Sequence, residues 1–143
     1  MKSAYETAIA KLELFKLNGA RKFRHINIPK IPNEWTEAEG SEGNMHMAIP
    51  NVDNYTSCMY IGQKDSIFPP HKHINSSEHF TILNEGGKIE VITRSGKDIV
   101  TFPNSYYIKP NTVHALKFIT KTKILCLWTP AFNNDEISID FTE

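Results

Sequence analysis

No apolar run in this 143-residue chain approaches the ~20 residues needed to span a bilayer. The N-terminal stretch MKSAYETAIAKLELFK is interrupted by charges and lacks the apolar core of a signal peptide. Neither a membrane partner nor a secretory leader is expected. Net charge is missing too, because 16 Lys and Arg balance 16 Asp and Glu. Nothing in that balance forms an electrostatic footprint for nucleic acid or an anionic surface. Cysteine is scarce: Cys58 and Cys126 lie singly in apolar stretches without CxxC spacing. Buried free thiols in a reducing, cytoplasmic setting are the expected state, and a single bridge between them is the alternative. Internal repeats and low-complexity segments are also absent. What is left is the profile of one domain, long enough to bury a core without staples.

The most informative stretch is FPPHKHINSSEHFTILNEG, from Phe68 to Gly86. His71 and His73 are two apart, and a strand repeats its side-chain direction every second residue, so both imidazoles face the same way. A polar run through Ile74, Asn75, Ser76 and Ser77 reads as a turn. The chain then becomes strand-like again, with Glu78, Phe80 and Ile82 on one face and His79, Thr81 and Leu83 on the other. Glu78 opens a hydrophobic strand, where an unpaired charge would be costly. Two imidazoles and a carboxylate brought together across a hairpin would supply most of a metal site. His114 in IKPNTVHALKF is the expected fourth ligand. It follows a turn signal at Lys109, Pro110 and Asn111 and opens an alternating run with Leu116 and Phe118.

In this order the motifs resemble the two-part signature of the cupin superfamily: HxH, four residues, Glu78, seven residues, Gly86, then Pro110-Asn111-x-x-His114. Gly62 stands where the glycine opening the first motif is expected, after a longer gap. Asn111 takes the place of a glycine, and like glycine it tolerates a left-handed turn. Phe118 replaces the asparagine that often closes the second motif. The resemblance covers about residues 44 to 130. It implies an all-β fold, a single double-stranded β-helix or jelly-roll barrel, here with an N-terminal α-helix. It also implies one divalent transition metal, among Fe, Mn, Ni, Co, Cu and Zn, held by His71, His73, Glu78 and His114 with donor distances of about 2.0–2.3 Å. Cupins with this ligand set include dioxygenases, isomerases, decarboxylases, lyases and storage or sensing proteins, so the fold leaves the reaction open. A narrower likeness is to WbuC-type cupins, associated with surface-polysaccharide gene clusters. It rests on the N-terminal helix, the ARKFRHINI segment, the PHxH-type motif at Pro70 to His73, and a terminal strand ending Pro130-Ala131-Phe132. The shorter glutamate spacing and an apparent insertion at residues 29–44 depart from that group.

Residues 3–18 read as a helix, with Ser3 and Glu6 as a capping box and Gly19 as C-cap. Tyr5, Ala8, Ile9, Leu12 and Phe15 form one apolar stripe, docked on a sheet or, alternatively, on a partner. ARKFRHINIPKIP carries Arg21, Lys22, Arg24, His25 and Lys30. It is either a basic rim for an anionic ligand or an edge strand whose charges discourage pairing. The acidic loop after it contains Glu34, Glu37, Glu39 and Glu42, with Trp35 as an anchor. These elements, residues 1–43, are expected to pack on a barrel formed by residues 44–143.

From Asn44 onward, short strands alternate with turn signals, the pattern of an all-β sandwich or barrel. They are NMHMAI, TSCMYIG, EHFTIL, KIEVITR, KDIVTF, SYYIKP, HALKFI and KILCLWT. Hairpins are expected at Asn84-Glu85-Gly86-Gly87 and at Ser95-Gly96-Lys97. LCLW is apolar on both faces and is placed centrally. The tail, with Ile137, Ile139 and Phe141 alternating, completes a sheet within the chain or crosses to a neighbour. His46 is read as a surface or hydrogen-bonded histidine, and His79 as pointing away from the ligands.

Tyr60, Phe80, Tyr107 and Trp128 are the candidate pocket residues, subject to strand parity. Two functions follow from an open metal position. One is an enzyme of the dioxygenase, isomerase or lyase class acting on a small polar metabolite; the other is a small-molecule (sugar) binding or sensing protein. A homodimer is expected, since a single small barrel leaves sheet edges and apolar surface uncovered. Light scattering should give about twice the 16.3 kDa chain mass across the micromolar range; the monomer mass would reject the dimer.

Overall fold

The computed structural model describes residues 32–38, 43–50, 55–73, 75–93, 95–131 and 137–138. The expected helix at 3–18 and the basic run from Arg21 to Lys30 lie outside them. Among the described residues every regular element is a strand: β1 Thr36–Glu37, β2 Met45–Ile49, β3 Thr56–Gly62, β4 Ile67–His73, β5 Ser77–Ile82 and β6 Lys88–Thr93. The remainder are β7 Gly96–Thr101, β8 Ser105–Ile108, β9 His114–Phe118, β10 Thr122–Thr129 and β11 Ile137–Ser138. Two antiparallel sheets result, ordered β1-β2-β3-β10-β5-β8 and β11-β4-β9-β6-β7. From β3 onward the chain changes sheet at almost every connection, and only β6 and β7 are joined as neighbours. That winding makes a jelly roll, with the core between the sheets.

Alternation along each strand sets the core. On β10, Thr122, Ile124, Cys126 and Trp128 are buried while Lys123, Leu125 and Leu127 are half-buried. This strand is central, hydrogen-bonded to β3 on one side and β5 on the other. Phe80, Phe118, Ile89 and Val91 are fully buried, each stabilising by roughly 1.5–3 kcal/mol relative to exposure. Cys58 and Cys126 are free and buried, as Cα partners on adjacent strands. The tail pairs within the chain, with Ile137 opposite His73.

Two expected turns have different fates. The β6–β7 hairpin forms, with Thr93 opposite Gly96. Asn84 to Gly87 does not close a hairpin, because β5 and β6 belong to different sheets. It is a crossing turn in which Gly87 N–H donates to the Asn84 carbonyl at 3.0 Å and Gly86 takes φ 79°. The Asn84 side chain ties it to the β9–β10 connection, accepting from Lys123 N–H at 2.8 Å and donating to the Lys121 carbonyl at 3.0 Å.

Candidate metal centre

Pro69 and Pro70 lack the N–H that a regular ladder needs, and the register slips where they stand. Phe68 pairs with Leu116 and His71 with His114, so β4 carries one extra residue between them. This β-bulge turns His71 to the same interior as Phe68, their rings 5.0 Å apart. His73 follows two residues later on that face. His114 lies directly opposite His71, ring centroids 4.2 Å apart. The turn before it depends on Asn111, which adopts φ 59° and donates its N–H to the His73 carbonyl at 2.7 Å.

Glu78 arrives from the other sheet. The expected hairpin between the histidine pair and the glutamate is therefore corrected: β4 pairs with β9, β5 pairs with β10 and β8, and the groups meet across the barrel interior. Ser76 and Ser77 fasten the connection by donating to the Pro130 and Thr129 carbonyls at 2.6 and 3.2 Å. His71, His73, Glu78 and His114 are each at most 4% exposed. One donor atom from each lies within 4.8 Å of all the others, so the group could hold a metal ion.

Protonation supports that fit. His114 Nδ1 is 2.8 Å from the Thr112 carbonyl, which can only accept. The proton therefore sits on Nδ1, and Nε2 turns its lone pair inward. Nε2 has no hydrogen-bond partner, and Glu78 Oε1 is 3.6 Å away. His73 Nε2 is 3.0 Å from the same oxygen. The Trp128 indole hydrogen lies between His73 Nε2 and that oxygen, but the His114 Nε2 lone pair faces the buried carboxylate and is repelled unless a cation or an added proton lies between them. A divalent ion suits three imidazoles and one carboxylate.

Burial pushes the Glu78 carboxyl upward, but hydrogen bonds and charge from the protonated His114 and His73 rings, the added-proton alternative to a metal, outweigh it and hold the group well below the usual glutamate range. A depressed folded pKa means that the unfolded chain takes up the proton first on acidification. For metal-free protein, the stability contribution of Glu78 is then complete above about 4.5, the ordinary glutamate value, and is lost as pH falls through the folded value. Urea midpoints measured against pH should fall across that window for the native chain and flatten for Glu78→Gln. Parallel curves would contradict it.

The other sequence-predicted residues divide. Trp128 is buried beside the ligands, its ring 5.7 Å from that of His73. Phe80 and Tyr60 are buried core residues, stacked on Tyr106 and Phe118. Tyr107 is corrected, being 57% exposed and opposite the exposed His79 on the outer face. Tyr106 takes the inward parity, and its hydroxyl donates to Asp98 Oδ2 at 2.5 Å, joining β8 of one sheet to β7 of the other. Burial and then Asp98 push that phenol up to about 12. His46 is 9% exposed, edge-on to Tyr60, and burial lowers its pKa. It is thus more buried than a surface reading implies.

No family model and no curated protein matches the chain. Solved structures do match. KdgF from Halomonas sp. is 11% identical with a TM-score of 0.61, covering 73% of this chain and 94% of its own. An RmlC-like cupin from Shewanella frigidimarina NCIMB 400 is 12% identical with a TM-score of 0.58, over 76% of this chain and 95% of its own. Streptomyces PAC13, described with uridine, is 16% identical with a TM-score of 0.62, over 77% and 87%. At such identities the likeness is one of fold. The helix, the basic segment and Phe132, which carry the narrower WbuC-type resemblance, lie outside the described residues. The winding of two antiparallel sheets is therefore shared with cupin structures, and the inward His71, His73, Glu78 and His114 group is what this chain carries inside that fold.

Proposed function

We propose that this protein is a metal-dependent enzyme acting on a small polar metabolite of carbohydrate or carboxylate type. The observation that carries the reading is the convergence of His71, His73, Glu78 and His114 as buried, inward-facing donors. Three imidazoles and one carboxylate leave a divalent ion with net positive charge and with coordination positions open to a substrate. When bound, such an ion supplies Lewis acidity or oxygen activation. The ligand types admit Fe, Mn, Ni, Co, Cu or Zn.

The chain's own residues do the rest. Trp128 and Ile108 are the strand neighbours of Glu78 on its two sides, and both are buried. The carboxylate is thus screened from water, which strengthens its interactions. The fixed His114 tautomer keeps one nitrogen available for coordination. The test uses a panel of keto-sugars, sugar phosphates, small carboxylates and thiols, with uridine added because one protein of similar fold is described with it. Metal-loaded protein and its His114→Ala variant would be incubated with that panel, with and without oxygen. Product formed by the loaded protein and not by the variant supports catalysis. Metal-dependent binding with every compound recovered unchanged would replace the enzyme by a binding or sensing cupin.

A further inference from the structure

One group among the candidate ligands cannot itself coordinate. Trp128 lies on the inward face of β10, directly opposite Glu78 on β5, and is 6% exposed. Its indole N–H donates to Glu78 Oε1 at 2.8 Å and to His73 Nε2 at 3.1 Å. A phenylalanine would fill much of the same space with no donor to satisfy, whereas a buried indole N–H must find an acceptor. Here the acceptors are two of the atoms the metal centre needs.

Those acceptors differ in capacity. A carboxylate oxygen has two lone pairs, so Glu78 Oε1 can accept the indole hydrogen and coordinate at once. An imidazole nitrogen has one, so His73 Nε2 can do only one of the two. We propose that Trp128 is a positioning residue whose shared indole hydrogen bond holds Glu78 Oε1 and His73 Nε2 together, and that it withdraws to Glu78 alone when His73 Nε2 engages a divalent cation. The proposal rests on the metal-centre reading and adds to it a fifth residue that senses occupancy. Oriented partners of this kind matter because a ligand already aimed inward loses less freedom on coordination.

The indole N–H gives a direct readout, since Trp35 is the only other tryptophan in the chain. In 1H–15N spectra of the full-length protein, Zn(II) addition should move one indole cross-peak, and it should be the one retained in Trp35→Phe. Zinc binding without movement of that peak overturns the proposal. By competition with a chromophoric chelator, Trp128→Phe should bind Zn(II) about 10–100-fold more weakly than the native chain. Equal affinity overturns the positioning role. Native protein that binds no Zn(II) overturns the metal centre itself, an outcome distinct from the other two. Because the cross-peak is read in chains that keep Trp128, the test stands even if Trp128→Phe folds poorly.

Discussion

His114→Ala should strip the protein of bound metal while the barrel still folds. The imidazole is 1% exposed, with Nδ1 committed to the Thr112 carbonyl and Nε2 aimed at the ligand group. Alanine removes a donor whose tautomer the backbone dictates, so affinity should drop by at least about 100-fold, the upper range for the lesser loss of a supporting partner. The cavity left behind should cost about 2–4 kcal/mol by analogy with other large-to-small core changes. The fully buried Phe80, Phe118, Ile89 and Val91 do not depend on the histidine. Metal analysis after purification without added metal, together with circular dichroism, would check both halves. Stoichiometric metal in the variant would remove His114 from the ligand set. Unfolding by a chelator alone would make the metal structural, contrary to the proposed function.

Gly62→Ala should be among the most destabilising single-methyl additions in the chain. A Cβ at Gly62 would lie 2.3 Å from Phe118 Cδ1 and 2.4 Å from its Cγ. The ring cannot easily yield, being fully buried and stacked on Tyr60 at 5.6 Å. Overpacking of this kind costs about 1–3 kcal/mol. Phe118→Ala should cost about 3–5 kcal/mol by opening a cavity. In the double variant the added methyl occupies vacated space, so the combined cost should fall short of the sum by more than about 0.5 kcal/mol. Denaturant midpoints of the native chain, both single variants and the double variant form the cycle; simple additivity would show that the glycine is not there for the ring. The pairing also explains the departure at Phe118 from the cupin motif, since the ring packs over the glycine that opens the first motif.

Strand positions were largely legible because most are bounded by Gly, Pro, Asn or Asp, and the meeting of His71, His73, Glu78 and His114 because HxH, Glu78 and the Pro-Asn-x-x-His run each imply a facing. What the pattern could not convey was which strands share a sheet. Asn84-Glu85-Gly86-Gly87 has the composition of a hairpin, yet whether its flanking strands pair is decided by β10, more than thirty residues later in sequence. The same ambiguity hid the route by which Glu78 reaches the histidines. At Tyr106 and Tyr107 the sequence offers two like residues in succession, so alternation gives no parity; Tyr106 turns inward to stack on Phe80, leaving its hydroxyl at the exposed rim on Asp98. Strand β4 was legible only in part, since two prolines leave its register open until Leu116 and His114 fix it. The hydrogen-bonding role of Trp128 had no local signal, as it exists only once β10 lies beside β5.

Cys58 and Cys126 give the barrel an internal clock. Burial pushes the first thiol up to about 12 and the second well above its ordinary value, so almost no thiolate forms at neutral pH while the sheet is closed. They lie on β3 and β10 as direct strand partners, in the middle of the six-stranded sheet. A thiol reagent therefore cannot reach them through fraying at an edge; the two central strands must separate first. With reagent in excess, modification reports how often the barrel opens, and with reagent limiting, how much of it stands open. The same two sulfurs would measure how much slower that opening becomes when the site beside Trp128, two residues along β10 from Cys126, is filled.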